Sequence, residues 1–169
     1  MAHSTTIKNL RDGTLTITDG AGSPASHTVQ YEAGDFSISG LTSETSAKQY
    51  EFATYMDRGE LASIRHTTQT FLTGSFTMHF VDLSDAGYST AMDLMLKRGS
   101  HSSAVSTLGA SAEVYAVKLA LTVAGTDHGD AGGDHTITLD DCVCSVDVAE
   151  GDPSSISVSF TCYGTVTIT

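Results

Sequence analysis

The sequence predicts a mainly β protein, an antiparallel β-sandwich or barrel with one flanking α-helix and a long irregular arm. Hydroxyl-bearing residues give the first indication, since the 169 residues contain 24 Thr and 21 Ser while only 17% are charged. Threonine packs well on a pleated surface and loses side-chain freedom in a helix. The second indication is a series of short segments in which apolar and polar residues alternate with period two between Gly, Asp, Ser and Pro clusters. The third is that a single segment spaces its apolar residues as a helix does. The length is that of one domain, and 40% apolar content is enough for a core. Residues 1–169 are therefore read as one unit, with no internal repeat and no linker.

The first strand signal is Gly13 to Thr18, where Leu15 and Ile17 alternate with Thr14, Thr16 and Thr18. A turn-rich stretch from Asp19 to Ser26 leads into His27 to Tyr31, so the two segments form a hairpin. Asp35 to Ser39 is a third short alternation, with Phe36 and Ile38 on one face. From Leu41 to Thr70 neither period persists, and a weakly patterned segment of that length inside a compact domain suggests an arm used for contact. Tyr50, Phe52 and Tyr55 offer it apolar area, and Arg58 and Arg65 offer pairing to an acidic neighbour. Regular alternation returns in Phe71 to Val81, where Leu72, Gly74, Phe76, Met78 and Phe80 share one face.

The helix is expected over about residues 85–98. Ser84 and Asp85 suit its N-cap, Tyr88, Ala91, Met92 and Met95 form its apolar stripe, and Gly99 follows Lys97 and Arg98 as a stop. Ser100 to Ser111 reads as a connector and Glu113 to Val123 as a strand. Beyond the loop Thr126 to Asp134, Ile137 and Leu139 have one parity, whereas Cys142, Cys144, Val146 and Val148 have the other. A parity switch at Asp140 and Asp141 predicts a β-bulge. After the turn at residues 151–153, Ile156, Val158, Phe160 and Cys162 alternate with Ser and Thr up to the C-terminus. The segments Phe71 to Val81 and Ser155 to Thr169 lack the Lys and Pro that blunt exposed edges, so edge-to-edge association through them is expected, with proline at Ser159 blocking it.

Charge and chemistry narrow the function. No segment reaches the ~18 consecutive apolar residues of a membrane span, and the first ten residues lack a secretory apolar run. The expectation is a chain made and kept in the cytosol, with no membrane partner. A net charge of -12, from 20 acidic and 8 basic residues, disfavours a nucleic-acid binder, which needs cations to displace phosphate counterions. Cys142 and Cys162 are equidistant from Asp152, so pairing of the last strands around that turn places them opposite each other. They form a cross-strand disulfide in an oxidising setting or two buried thiols in a reducing one, and the cytosolic expectation selects the thiols. No GxSxG, Walker, GxGxxG or HExxH motif is present. Asp127, His128, Asp130, Asp134 and His135 are the only candidates for a metal, but they also describe a solvated loop. No enzyme, cofactor or metal is expected.

At DGTLTITDG (Asp12 to Gly20), YEAGDFSISG (Tyr31 to Gly40), the arm with Asp57, Arg58, Gly59 and Arg65, and TGSFTMHF running into VDLSD, the chain resembles the major tail tube protein of long-tailed bacteriophages. The resemblance implies a β-sandwich or barrel with a flanking helix, six copies per ring, and rings stacked into a hollow tube for genome ejection. The inter-subunit arm would carry Tyr50, Phe52, Tyr55, Asp57, Arg58 and Arg65. It also implies a place in the virion tail after assembly in the host cytoplasm. Partners would be further copies, a tape measure, and terminator or tip proteins, with viral DNA passing the lumen without specific binding. An acidic wall fits, because a cationic one repeated along the tube would hold the duplex. The alternative is a β-sandwich module that binds a receptor or carbohydrate; the lack of Trp counts against it.

Overall fold

The computed structural model describes residues 13–29, 35–41, 49–79, 90–123, 133–151 and 154–169. Ten antiparallel strands dominate: β1 (Gly13–Thr18), β2 (Ser26–Val29), β3 (Ser37–Ser39), β4 (Gln49–Asp57), β5 (Glu60–Thr70), β6 (Leu72–His79), β7 (Val117–Val123), β8 (His135–Ala149), β9 (Ser155–Cys162) and β10 (Val166–Ile168). One short helix, α1 (Ala91–Met95), is followed by a 3-10 turn at Gly99–His101. Eight strands form one sheet in the order β2-β1-β7-β8-β9-β6-β3, with β10 also on β8; β4 and β5 form a separate pair. The expected class, antiparallel β with a flanking helix, is what the chain adopts. Among the described residues the end strands β2 and β3 are not paired to each other, so the sheet is open.

The 15-residue strand β8 organises this sheet by changing neighbours along its length. Its first part pairs with β7 on one side and β10 on the other; from Cys142 to Ala149 it pairs with β9. The register against β7 slips between Val117 and Leu119, and Asp141 has a φ of 54. This is the bulge that the parity switch at Asp140 and Asp141 predicts. A bulge increases local twist and bends its strand, and such corners let one strand serve two packed layers. Both halves of the sheet accordingly contribute to one core: Leu15, Ile17, Leu119 and Leu121 from one, Leu72, Phe76, Ile156 and Val158 from the other. Phe36 stacks on Phe76 and Phe160 at the β3 edge.

Cys142 and Cys162 are direct cross-strand partners at this corner, both free thiols and both buried. Cys162 Sγ donates to the Asp140 carbonyl at 3.1 Å. A hydrogen bond to Cys162 and then burial push the Cys142 thiol well above its ordinary range.

The helix is shorter than expected. Thr90 caps it in a reciprocal box with Asp93, and among the described residues of the expected span 91–95 are helical. Lys97, with a φ of 51, takes the left-handed position expected of Gly99, and the Lys97 and Arg98 amides close back on Leu94 and Asp93. That is a Schellman stop two residues early. The other expected cap residues, Ser84 and Asp85, lie outside the described residues, as does Tyr88. Leu94 and Met95 are buried, and α1 lies against β1 and β2. Tyr115 Oη donates to the Leu94 carbonyl at 2.9 Å, and burial, with Asp19 next, pushes the phenol up to about 12. β7 also starts later than expected, because Ser106 Oγ binds the Val114 carbonyl and Ala116 amide and holds residues 113–116 against the connector.

The expected edges are overturned over Ser155–Cys162 and, in β6, over Thr73–Ser75, which lies between β9 and β3; β10 pairs with β8 alone among the described strands. β9 is an interior strand, with Ser159 paired to Ser75 of β6 on one side and Ser145 of β8 on the other. Alternation shows that a strand has two different faces, but says nothing about how many strands flank it. Proline at Ser159 is therefore a folding lesion, not an assembly block.

Two outcomes test this packing. A methyl at Gly74 would overlap the Phe160 ring and the Ser37 carbonyl, so Gly74→Ala is expected to cost about 1–3 kcal/mol in denaturant unfolding. His27 Nε2 on β2 lies 2.8 Å from His101 Nε2. Burial, then the charge of His101, holds His27 below its ordinary range, with Asp93 opposing. The unfolded chain therefore takes the proton first on acidification, so this contribution is complete above about pH 6.5 and declines below it. Melting curves from pH 7.5 to 5 should show a steeper loss for the native chain than for His27→Gln.

Candidate assembly surface

The segment expected to be an irregular arm, residues 41–70, is over its described part a long β-hairpin. Residues 42–48 lie outside the described residues, and β4 pairs with β5 from Gln49↔Thr70 to Asp57↔Glu60. Arg58 and Gly59 make the turn, with φ of 50 and 88. Positive φ at both central residues is the type I′ geometry whose twist matches a two-residue hairpin. Two register shifts, between Tyr50 and Phe52 and between Tyr55 and Met56, interrupt the ladder. Each shift resets the period, which is why no alternation persists in the sequence.

Register sorts the hairpin into two faces. Phe52 opposes His66, Thr54 opposes Ile64, and Met56 opposes Leu61. Tyr50 stacks on His66 at 5.0 Å and Phe52 meets the same ring edge-on at 5.2 Å. This face is therefore apolar, yet Phe52, Met56, Leu61 and Ile64 are 50–60% exposed. The opposite face pairs Ala53 with Arg65, Tyr55 with Ser63 and Asp57 with Glu60, and the Arg65 guanidinium lies 5.5 Å from the Tyr55 ring centre. Gln49 is buried at the base, and only Phe71 separates β5 from β6, so the ribbon springs directly from the main sheet.

Of the expected contact residues, Tyr50 and Phe52 share the apolar face, Tyr55, Asp57 and Arg65 share the polar one, and Arg58 stands at the tip. The structure does not bring these six together on one surface. Met56, Leu61 and Ile64 complete the apolar face and went unmarked in the sequence; their signal was there, as three large aliphatics in a segment otherwise rich in polar residues.

Two clefts draw on neighbouring stretches of β8. One, of about 400 Å³, is lined by Asp19, Lys118, Asp140, Asp141, Thr107 and Thr165; Lys118 Nζ is 3.0 Å from Asp140. The other, of about 310 Å³, is lined by Thr73, Val143, Phe160, Thr161 and Tyr163, and is rimmed by Phe71, whose ring is 4.7 Å from that of Tyr163. Among the described residues no three His, Cys, Asp or Glu side chains group to hold a metal, and no helix is long and apolar enough to cross a membrane. Asp127, His128 and Asp130 lie outside the described residues.

Chains of three solved structures share this architecture. A chain of the PVC sheath-tube complex of an extracellular contractile injection system matches with a TM-score of 0.58 over 99% of both chains, at 10% identity. A chain of the PVC sheath/tube terminator matches at 0.56, covering 99% of this chain and 98% of its own, also at 10% identity. A chain of the anti-feeding prophage cap, the terminating cap of that prophage's own tube, matches at 0.55 and 11% identity, covering 100% of this chain and 94% of its own. The fold is that of injection-system tail proteins. By sequence, neither a protein-family profile nor a curated relative matches the chain.

The turn supplies a test of the hairpin. A side chain with a β-carbon is strained at the left-handed φ of Arg58, and Asn tolerates that region best. Arg58→Asn is expected to leave the fold intact and to slow amide exchange across Asp57–Glu60 by several-fold.

Proposed function

We propose that this chain is a structural subunit of a phage-type tail, whose copies associate in rings, six to a ring, that stack into a hollow tube for genome ejection. The observation that carries the reading is the apolar face of the β4–β5 hairpin, which Phe52, Met56, Leu61 and Ile64 present to solvent in the single chain. An exposed apolar face of that kind marks an interaction surface. Its position on a domain with the fold of injection-system tail proteins makes a further copy the partner of choice. Tyr50 extends the face, Tyr55, Asp57 and Arg65 border it, and Arg58 caps its tip. A tape measure inside and terminator or tip proteins at the ends would complete the assembly, in a virion tail built in the host cytoplasm. The chain would act without catalysis, cofactor or membrane, and its excess of 12 acidic charges would keep passing DNA from adhering to the wall.

A second reading is favoured by the similarity to a terminator and a cap: a single ring that closes the end of a tube made by another chain. Negative-stain microscopy of the purified protein distinguishes them, since a tube subunit gives stacks of rings and a terminator gives rings alone. The double variant Met56→Glu and Ile64→Glu is expected to remain folded by circular dichroism and to sediment as a monomer. Normal assembly of that variant would remove the hairpin from the mechanism.

A further inference from the structure

An exposed apolar face needs a receiver, and symmetry limits what it is. Two hairpin faces packed on each other about a two-fold axis would close as a dimer and propagate no further, whereas a ring or stack requires two different surfaces in heterologous contact. The receiver must therefore lie elsewhere on the same chain.

The hairpin tip has a chemical order. Met56 and Leu61 oppose each other on the apolar face, and Arg58 follows at the turn two residues beyond Met56. Two strand residues rise about 7 Å. Asp57 and Glu60, the acidic residues beside the turn, belong to the opposite face. The clefts at the β8 corner repeat the order in complementary form. Val143, Tyr163 and the adjoining Phe71 make an apolar recess, with Phe71 and Tyr163 exposed by 41% and 46%. Asp141, two residues before Val143 on the same strand, and its neighbour Asp140 line the other cleft, where the one cation among the lining residues, Lys118, already pairs with Asp140.

We infer that the tip of the β4–β5 hairpin docks into the β8 corner of a second copy, with Met56 and Leu61 seated against Val143 and Tyr163 and the Arg58 guanidinium placed at Asp141. The inference rests on the assembly reading above and specifies its contact. Arg58 keeps a cation at a turn position where Asn or Gly would be easier, and the cleft it reaches has a carboxylate in excess. A guanidinium presents several donors in a fixed fork, so it can bind a carboxylate in two-point fashion while the apolar pair excludes water around it.

The test uses the full chain. Arg58→Glu and Asp141→Lys, each alone, should reduce the assembled fraction in sedimentation by about tenfold or more, and combining the two should restore it. A separate readout leaves both Arg58 and Asp141 in place: the variant Asp57→Cys, Thr165→Cys in a Cys144→Ser background, mildly oxidised after assembly, should give a ladder of cross-linked chains on a denaturing gel, because Asp57 adjoins Arg58 at the tip and Thr165 is exposed and lines the acidic cleft while Cys142 and Cys162 are buried. Assembly that proceeds undiminished with Arg58→Glu and yields no ladder overturns the docking contact and leaves the tube reading in place. Cross-linking that stops at dimers overturns it in favour of a two-fold contact. A native chain that forms neither rings nor tubes removes the assembly reading and this contact with it.

Discussion

The bend in β8 is the constraint on which the rest of the molecule depends. A flat sheet with one apolar face has nothing to bury it against, and here only five helical residues are described to help. The extra residue at Asp140–Asp141 lets one long strand belong to two half-sheets, so that Leu15, Leu119 and Leu139 come to share a core with Phe76, Val158 and Phe160. The connection between β9 and β10 follows the same corner: Tyr163 and Gly164 donate to the Asp141 and Asp140 carbonyls, and the Asp140 amide donates to Thr165. Gly164 fits there because a β-carbon would collide with Asp140 and Asp141. The thiols Cys142 and Cys162 are buried at the bend.

Folding the sheet on itself leaves two kinds of exposed surface. The outward rows of the main sheet are hydroxyls, such as Ser37, Ser75, Ser159 and Ser145 in register across four strands. Such a surface is well hydrated and would lose hydrogen bonds on burial. The hairpin is the opposite case, a ribbon whose large aliphatic and aromatic side chains face water on one side. A two-stranded ribbon is marginal in isolation, and this one is anchored at its base, where Gln49 is buried. The contrast divides the molecule into a body that buries its large apolar side chains and a ribbon that exposes them.

Identities of 10% and 11% with nearly full coverage mean that one architecture is built here from largely different residues. Strand pairing runs through the backbone, and a core asks only for apolar side chains of suitable volume at the inward positions, so a strand order tolerates wide substitution.

The sequence by itself determined the local periods. The first hairpin, the inward residues of β6, β7 and β9, the bulge at Asp140–Asp141 and the opposition of Cys142 and Cys162 all follow from parity and symmetric spacing, which act between residues close in the chain. What only the tertiary structure decided is of longer range. The helix stop moved from Gly99 to Lys97 because the chain turns where Tyr115 can meet the Leu94 carbonyl, and β9 became an interior strand because β6 and β8, far apart in sequence, flank it. The arm proved to be a hairpin whose bulges erase the period that would have revealed it. Which of Tyr50, Phe52, Tyr55, Asp57, Arg58 and Arg65 act together depended on cross-strand register, a pairing between residues that alternation along a single strand cannot specify.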